Sequence, residues 1–268
     1  MKRLMTLLVI ASLFPFQSCI LENRTDCPTY LRLDFPSVPE EVGMIHLVIE
    51  HEDGTVYHDT VFRKDSVSGC ELPVRKGRLS IAAFGNPSGM IYDRGYTVPE
   101  GGQADSLYTC FLTGEYRSDL SRETVTLLRN YIGLHVRVLG DAVETDSIHI
   151  CVESASVGYD LYGNILTGSF RHSPRATHVP VDDARYYEFL SRITRQDGDV
   201  LYLSVMATRN GEERQLVRTG LSGHLRQAGT GMDDEELEDL YVTIDFSEAS
   251  IKVSPVDWNY YEHVEIEI

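Results

Sequence analysis

Short segments in which every second residue is apolar recur along most of the chain, and they constrain the fold more than any other feature. Between Leu31 and Phe35 the apolar residues alternate with polar ones, which is typical of a strand with one buried face. Asp53-Gly54 and Asn210-Gly211 follow such segments, and these dipeptides favour tight hairpin turns. Many strands at this spacing, with turn residues between them, predict an all-β chain built from β-sandwiches.

Two features bear on how the sandwiches are divided. A polar stretch from Gly114 to Ser121 separates two series of strands, so we predict two domains, residues 27–118 and 119–268. The segment from Asp182 to Arg195 fits either a helix or a strand. Its apolar residues recur at helical spacing, but its aromatic content favours a strand, which is our interpretation.

The N-terminus has the pattern of an export signal followed by a lipidation site. Lys2 and Arg3 precede an apolar run from Leu4 to Phe16, and this run is shorter than the roughly 20 residues that a spanning helix needs. The small residue Ser18 then stands directly before Cys19. We predict that residues 1–18 are removed as a signal peptide, that Cys19 is acylated, and that residues 19–26 form a tether. The alternative is a secretory signal with an incidental cysteine.

The net charge limits which partners we expect, and the cysteine spacing limits which disulfides and metal sites we expect. The formal net charge is −17, which argues against nucleic acid and provides no basic patch for anionic lipid, so membrane attachment depends on the acyl group. In an oxidising compartment the remaining cysteines allow up to two disulfides, with the pairing left open. None has the spacing of a zinc or redox site. The four are Cys27, Cys70, Cys110 and Cys151.

No catalytic, cofactor-binding or metal-binding site is predicted, and we expect neither an enzyme nor a small-molecule substrate. The chain has no nucleophile elbow and no HExxH pair. The acidic run Asp233–Glu236, with Glu238 and Asp239, lacks the interleaved spacing of a calcium loop and is interpreted as a solvated connection. Trp258, the single tryptophan, is predicted to pack in the core, with an exposed sugar-stacking position as the alternative.

Four motifs, in order along the chain, resemble the FimB-like family of fimbrial anchor and regulatory lipoproteins of type V pili. They are Asp26-Cys27-Pro28 before a strand, the segment Gly77–Asn86, Leu128-Arg129-Asn130 before a strand, and Leu240–Phe246 with the residues that follow it to Trp258. Phe84 stands where the family more often has Trp.

The resemblance implies two tandem transthyretin-like, Greek-key β-sandwiches held on the outer membrane by lipid. It also implies a fimbrial shaft subunit as the partner, and a role in anchoring or terminating the fibre and influencing its length. Strand addition would provide backbone hydrogen bonds for affinity and side-chain pockets for specificity. The alternatives are a surface glycan-binding lipoprotein, which the fifteen tyrosines keep open, and a minor or tip fimbrial adhesin.

Overall fold

The protein is described by a computed structural model that covers residues 27–88, 91–92, 95–139, 147–178, 186–196, 200–223, 237–254 and 265–267. Nearly all of its regular elements are strands, and a short helix, α1 (Arg63–Ser66), follows the third of them. In chain order the strands are β1 (Thr29–Asp34), β2 (Met44–His51), β3 (Val56–Phe62), β4 (Cys70–Val74), β5 (Gly77–Gly85), β6 (Ile91–Tyr92), β7 (Gly95–Thr97), β8 (Tyr108–Tyr116), β9 (Leu120–Thr124), β10 (Leu128–Arg129), β11 (Tyr131–Leu139), β12 (Ser147–Tyr159), β13 (Ile165–His172), β14 (Ala176–His178), β15 (Tyr186–Thr194), β16 (Leu201–Arg209), β17 (Glu212–Gly220), β18 (Leu240–Asp245), β19 (Ser250–Ser254) and β20 (Glu265–Glu267).

The strands form two sandwiches, which confirms the predicted all-β fold. In the first, a three-stranded sheet in the order β4-β1-β9 faces a five-stranded sheet in the order β10-β8-β5-β2-β3. In the second, a sheet in the order β14-β15-β11-β18-β19-β20 faces one in the order β17-β16-β12-β7-β6, with β13 also paired to β12. Each sandwich has its own apolar core, made by the inward residues of alternating strands.

Both sandwiches repeat one unusual pairing. Their first strands, β1 and β11, each pair in parallel with a strand much later in the chain, β9 and β18 respectively. The pairing of β9 contradicts the predicted division at residue 118, because β9 completes the three-stranded sheet and the residues after it, Val125 and Leu127, pack in the first core. The first sandwich therefore extends through β10.

The segment of Asp182–Arg195 that the structure describes is a strand, as predicted. In β15 the buried residues Phe189, Ser191 and Ile193 alternate with more exposed neighbours, so burial has a period of two. Asp182, the predicted helix cap, lies outside the described residues. Of the described residues, no helix is long and apolar enough to cross a membrane.

The two sandwiches pack directly against each other. Strands β6 and β7 come from the first part of the chain but belong to the same sheet as β12 of the second sandwich, and β7 pairs with β12 directly. A third apolar cluster joins the outer face of the five-stranded sheet, at Val48 and Phe84, to Tyr159 and Leu161 of the second sandwich. One face of the first sandwich is thereby covered by the second.

Candidate partner-binding edge

Strand β3 is the sheet edge in the described part of the chain that is best suited to accept another strand. It is seven residues long, and Asp59 is the only Asp, Glu, Lys or Arg residue in it. The other edges of five residues or more carry features that oppose pairing. Strand β17 has four charged residues, β9 has Arg122 and Glu123, β4 contains Pro73, and β13 pairs irregularly with β12.

The backbone phase of β3 determines which of its backbone groups face β2 and which face away from the sheet. The bonds from His51 N–H to Thr55 O and from Arg63 N–H to Gly43 O bracket the β2–β3 hairpin. Because paired and unpaired positions alternate in an antiparallel ladder, residues 57, 59 and 61 face β2. The backbone groups of residues 56, 58, 60 and 62 therefore point away from the sheet, where an added strand would bind.

Asp59 partly covers this edge. Its Oδ1 accepts a hydrogen bond from the Thr60 N–H at 2.8 Å, and its Oδ2 accepts one from the Cys70 thiol at 3.4 Å. Burial and the adjacent carboxylate raise the pKa of Cys70 to about 12, so the thiol stays protonated and remains a donor. An inward-facing charge is a common device for protecting an edge strand, and an incoming strand has to compete with Asp59 for the Thr60 N–H.

The outer face of the sheet beside β3 carries both an apolar ring and histidine rings. Phe62, opposite Met44, is 51% exposed, and the rings of His46 and His58 lie 5.7 Å apart between centroids. Burial and the charge of His58 lower the pKa of His46 more than Asp59 raises it, so His46 is neutral at neutral pH. The face next to β3 thus presents the exposed ring of Phe62 and the neutral ring of His46 to a partner.

A separate cleft, with a volume of about 360 Å³, lies between the five-stranded sheet and the tip of the β12–β13 hairpin. Its rim includes Glu50, Glu52, Arg78 and the exposed ring of Tyr162. The Tyr162 hydroxyl donates to Glu50 Oε2 at 2.8 Å, which fixes the hairpin tip on the first sandwich. An exposed aromatic ring can stack on the face of a sugar ring, and the adjacent carboxylate and guanidinium groups can hydrogen-bond to the sugar hydroxyls.

The structure places the predicted site residues as follows. The four described cysteines are all free thiols: Cys27 is exposed, Cys70 and Cys110 are half-buried on β4 and β8, and Cys151 is buried on β12 of the second sandwich. No disulfide joins these four described cysteines, and the pairing that the sequence leaves open stays a prediction. Cys19, Asp233–Glu236 and Trp258 lie outside the described residues.

The described end of the acidic segment has a structural role. Asp239 accepts a hydrogen bond from Arg129 and another from the Gly133 N–H at 2.9 Å. Burial opposes ionisation, but His135 and Arg129 together with this N–H lower the pKa of Asp239 to about 2. Within the described residues, no cluster of three or more histidine, cysteine, aspartate or glutamate side chains is arranged to hold a metal ion.

Comparison with known proteins identifies the fold. No family model and no curated protein matches the sequence. The structure matches the fimbrial anchor protein Mfa2 of Porphyromonas gingivalis with a TM-score of 0.62 and 15% identity, over 82% of this chain and 91% of that one. The expected resemblance to fimbrial anchor proteins is therefore confirmed at the level of the fold.

Two further structures share this fold. A proposed adhesin from Bacteroides ovatus matches with a TM-score of 0.60 and 12% identity, over 89% of this chain and 95% of the other. A proposed polysaccharide-binding protein from Bacteroides thetaiotaomicron also has a TM-score of 0.60, with 11% identity, over 87% of this chain and 100% of the other. At these identities the likeness establishes the architecture, and function has to be argued from the surfaces.

Proposed function

We propose that this chain is an outer-membrane lipoprotein, acylated at Cys19, that anchors or terminates a fimbria of the type V class and influences fibre length. The observation that carries the proposal is the two-sandwich fold, which a fimbrial anchor protein shares. The signal-like segment that ends at Cys19 supports a lipid tether. In this role the protein binds other proteins and lipid, and it needs no cofactor and carries out no reaction.

The contact with the fimbrial shaft subunit is assigned to β3. A strand of the shaft subunit adds along this edge, pairing with outward backbone groups at residues 56, 60 and 62 and displacing Asp59 from the Thr60 N–H. The face next to the edge, with Phe62 exposed, provides a place for the side chains of the added strand.

The tether is tested by replacing Cys19. In Cys19→Ala, the protein should leave the outer-membrane fraction for the soluble fraction, and fibres should detach into the medium or change in length. Cell fractionation and electron microscopy measure these effects. Wild-type membrane retention in this variant, or unaltered fibres after deletion of the whole gene, contradicts the proposal.

The edge is tested by Thr60→Pro, with Thr60→Ala as the matched control. Proline removes an N–H that points away from β2, so the β2–β3 ladder is kept while strand addition is blocked. Thr60→Pro should no longer co-purify with the shaft subunit, whereas Thr60→Ala should do so as well as the wild type. Equal recovery with both variants, each shown to be folded by circular dichroism, contradicts the assignment of β3.

A glycan-binding role is the second candidate, and the cleft beside Tyr162 favours it. A glycan array separates the two functions. The anchor proposal expects no sugar selectivity, whereas selective binding that is lost in Tyr162→Ala supports the cleft as a sugar site.

A further inference from the structure

The outer face of the three-stranded sheet carries an exposed apolar row. Tyr30 on β1 is paired with Leu120 on β9 and with Pro73 on β4, so these three side chains lie side by side across the sheet. Tyr30 is 50% exposed and Leu120 is 57% exposed, and both are among the most exposed large apolar residues of the described chain. Their strand neighbours Leu31 and Leu33 point into the core, so the outward position of the row is fixed by the pleat.

The charges next to this row cancel. Arg32, Arg122, Asp34 and Glu71 occupy the next outward positions on the same three strands. Asp34 pairs with Arg32 at 2.9 Å and with Arg122 at 3.4 Å. A face with no formal net charge is distinctive in a chain whose net charge is −17, and it is not repelled by a surface of anionic headgroups as the rest of the protein is.

The face with the apolar row lies on the side of the first sandwich that the second sandwich leaves uncovered. The five-stranded sheet, on the far side of the first core, is covered by the second sandwich through the cluster that contains Phe84 and Tyr159. The face with the apolar row therefore points away from the second sandwich. Tyr30 also follows Cys19 by eleven residues, a span of at most about 40 Å when fully extended.

We propose that the face formed by Tyr30, Leu120, Pro73 and the adjacent arginines rests on the lipid headgroups of the membrane, so that the second sandwich projects away from the bilayer. The inference rests on the acylation of Cys19 in the proposed function. A tyrosine ring with its hydroxyl suits the headgroup region, and arginine can lay its aliphatic stem on apolar surface while its guanidinium stays hydrated. The acyl chains provide the affinity, and the face sets the orientation.

The test uses the full-length acylated protein in phosphatidylcholine vesicles, with and without bromine on the acyl chains, which quenches nearby tryptophan fluorescence. Leu120→Trp places the probe on the proposed face. Leu190→Trp is the matched control, because Leu190 is a leucine 38% exposed on β15 of the second sandwich. Wild-type protein gives the contribution of Trp258, which is subtracted from both.

We expect bromination to reduce the probe fluorescence of Leu120→Trp by about two-fold and to leave that of Leu190→Trp unchanged, because only a residue at the headgroup region approaches the bromine atoms. Equal quenching of both probes, or none in either, overturns the proposed orientation. The mass of the N-terminal peptide is measured on the same sample. An unmodified Cys19 refutes the lipid anchor itself, whereas an acylated Cys19 without selective quenching refutes only the orientation.

Discussion

Removal of the Tyr159 hydroxyl tests how firmly the two sandwiches are joined. Tyr159 is only 1% exposed, and it ends β12 where the second sandwich meets the first. Its hydroxyl donates to Asn130 O at 3.0 Å and accepts a hydrogen bond from the Arg195 N–H at 2.7 Å. Burial raises the pKa of Tyr159 well above its usual value, so the hydroxyl keeps the proton that it donates.

The expected cost of Tyr159→Phe follows from these two bonds. The ring and its packing are retained, and each of the two backbone partners loses its bond to the hydroxyl in a buried setting. With about 1 kcal/mol net for each bond and a desolvation penalty of similar size, the variant should lose about 3 kcal/mol of unfolding free energy. Tyr96→Phe should also be less stable than the wild type, because the Tyr96 hydroxyl accepts a hydrogen bond from the Asp105 N–H at 3.1 Å.

Urea unfolding followed by circular dichroism measures the difference. With a slope of about 3 kcal/mol/M, Tyr159→Phe should lower the midpoint by about 1 M while the slope is unchanged. Tyr30→Phe is the control, since the ring of Tyr30 is half exposed and its hydroxyl is outside the junction. The reasoning is refuted if Tyr159→Phe is no less stable than Tyr30→Phe.

Two further predictions concern a carboxylate and a glycine. Because the pKa of Asp239 is lowered to about 2, its contribution to stability is complete above about pH 4 and is lost as the pH falls towards 2. Asp239→Asn should therefore be less stable at pH 7 and show a flatter stability profile between about pH 4 and 2; a profile as steep as that of the wild type would count against this. Gly158 has a φ of +159°, and a Cβ there would clash with the carbonyl oxygen of Tyr96. Gly158→Ala should cost about 3 kcal/mol or more in urea unfolding, whereas Gly223→Ala, which meets open space, should change little; similar losses in both would contradict the clash.

The strands could be predicted from sequence wherever a strand has one buried face. Leu31 and Leu33 alternate with polar neighbours because β1 covers the core on one side only. Strand β9 has no such pattern, since none of its five residues is buried, and its parallel pairing with β1 joins residues ninety positions apart. Strands β6 and β7 are two and three residues long, too short for any periodicity. The domain division failed at β9 for these reasons.

The candidate site was less accessible to sequence reasoning. The sequence indicates that Val56–Phe62 is a strand after a hairpin turn, but its place at a sheet edge depends on which strands pair, and that is a long-range property. The low charge of this strand was the available signal for an edge that can accept a partner, because edge strands that avoid pairing usually carry charged residues or proline. The hydrogen bond that the Thr60 N–H donates to the side chain of the adjacent Asp59 could not be predicted from the sequence either. It requires the Thr60 N–H to point away from β2, which depends on the strand pairing.

In the proposed role, the place at which the tether would join the fold suits a protein that holds a fibre under tension. The proposed tether precedes β1, which is the central strand of its sheet and is hydrogen-bonded to β4 on one side and to β9 on the other. A pull along β1 shears both ladders together, so many hydrogen bonds share the load. An edge strand has one ladder, and its bonds can open one after another from the pulled end. The parallel partner β9 is what makes β1 central, and in the second sandwich β18 makes β11 central in the same way.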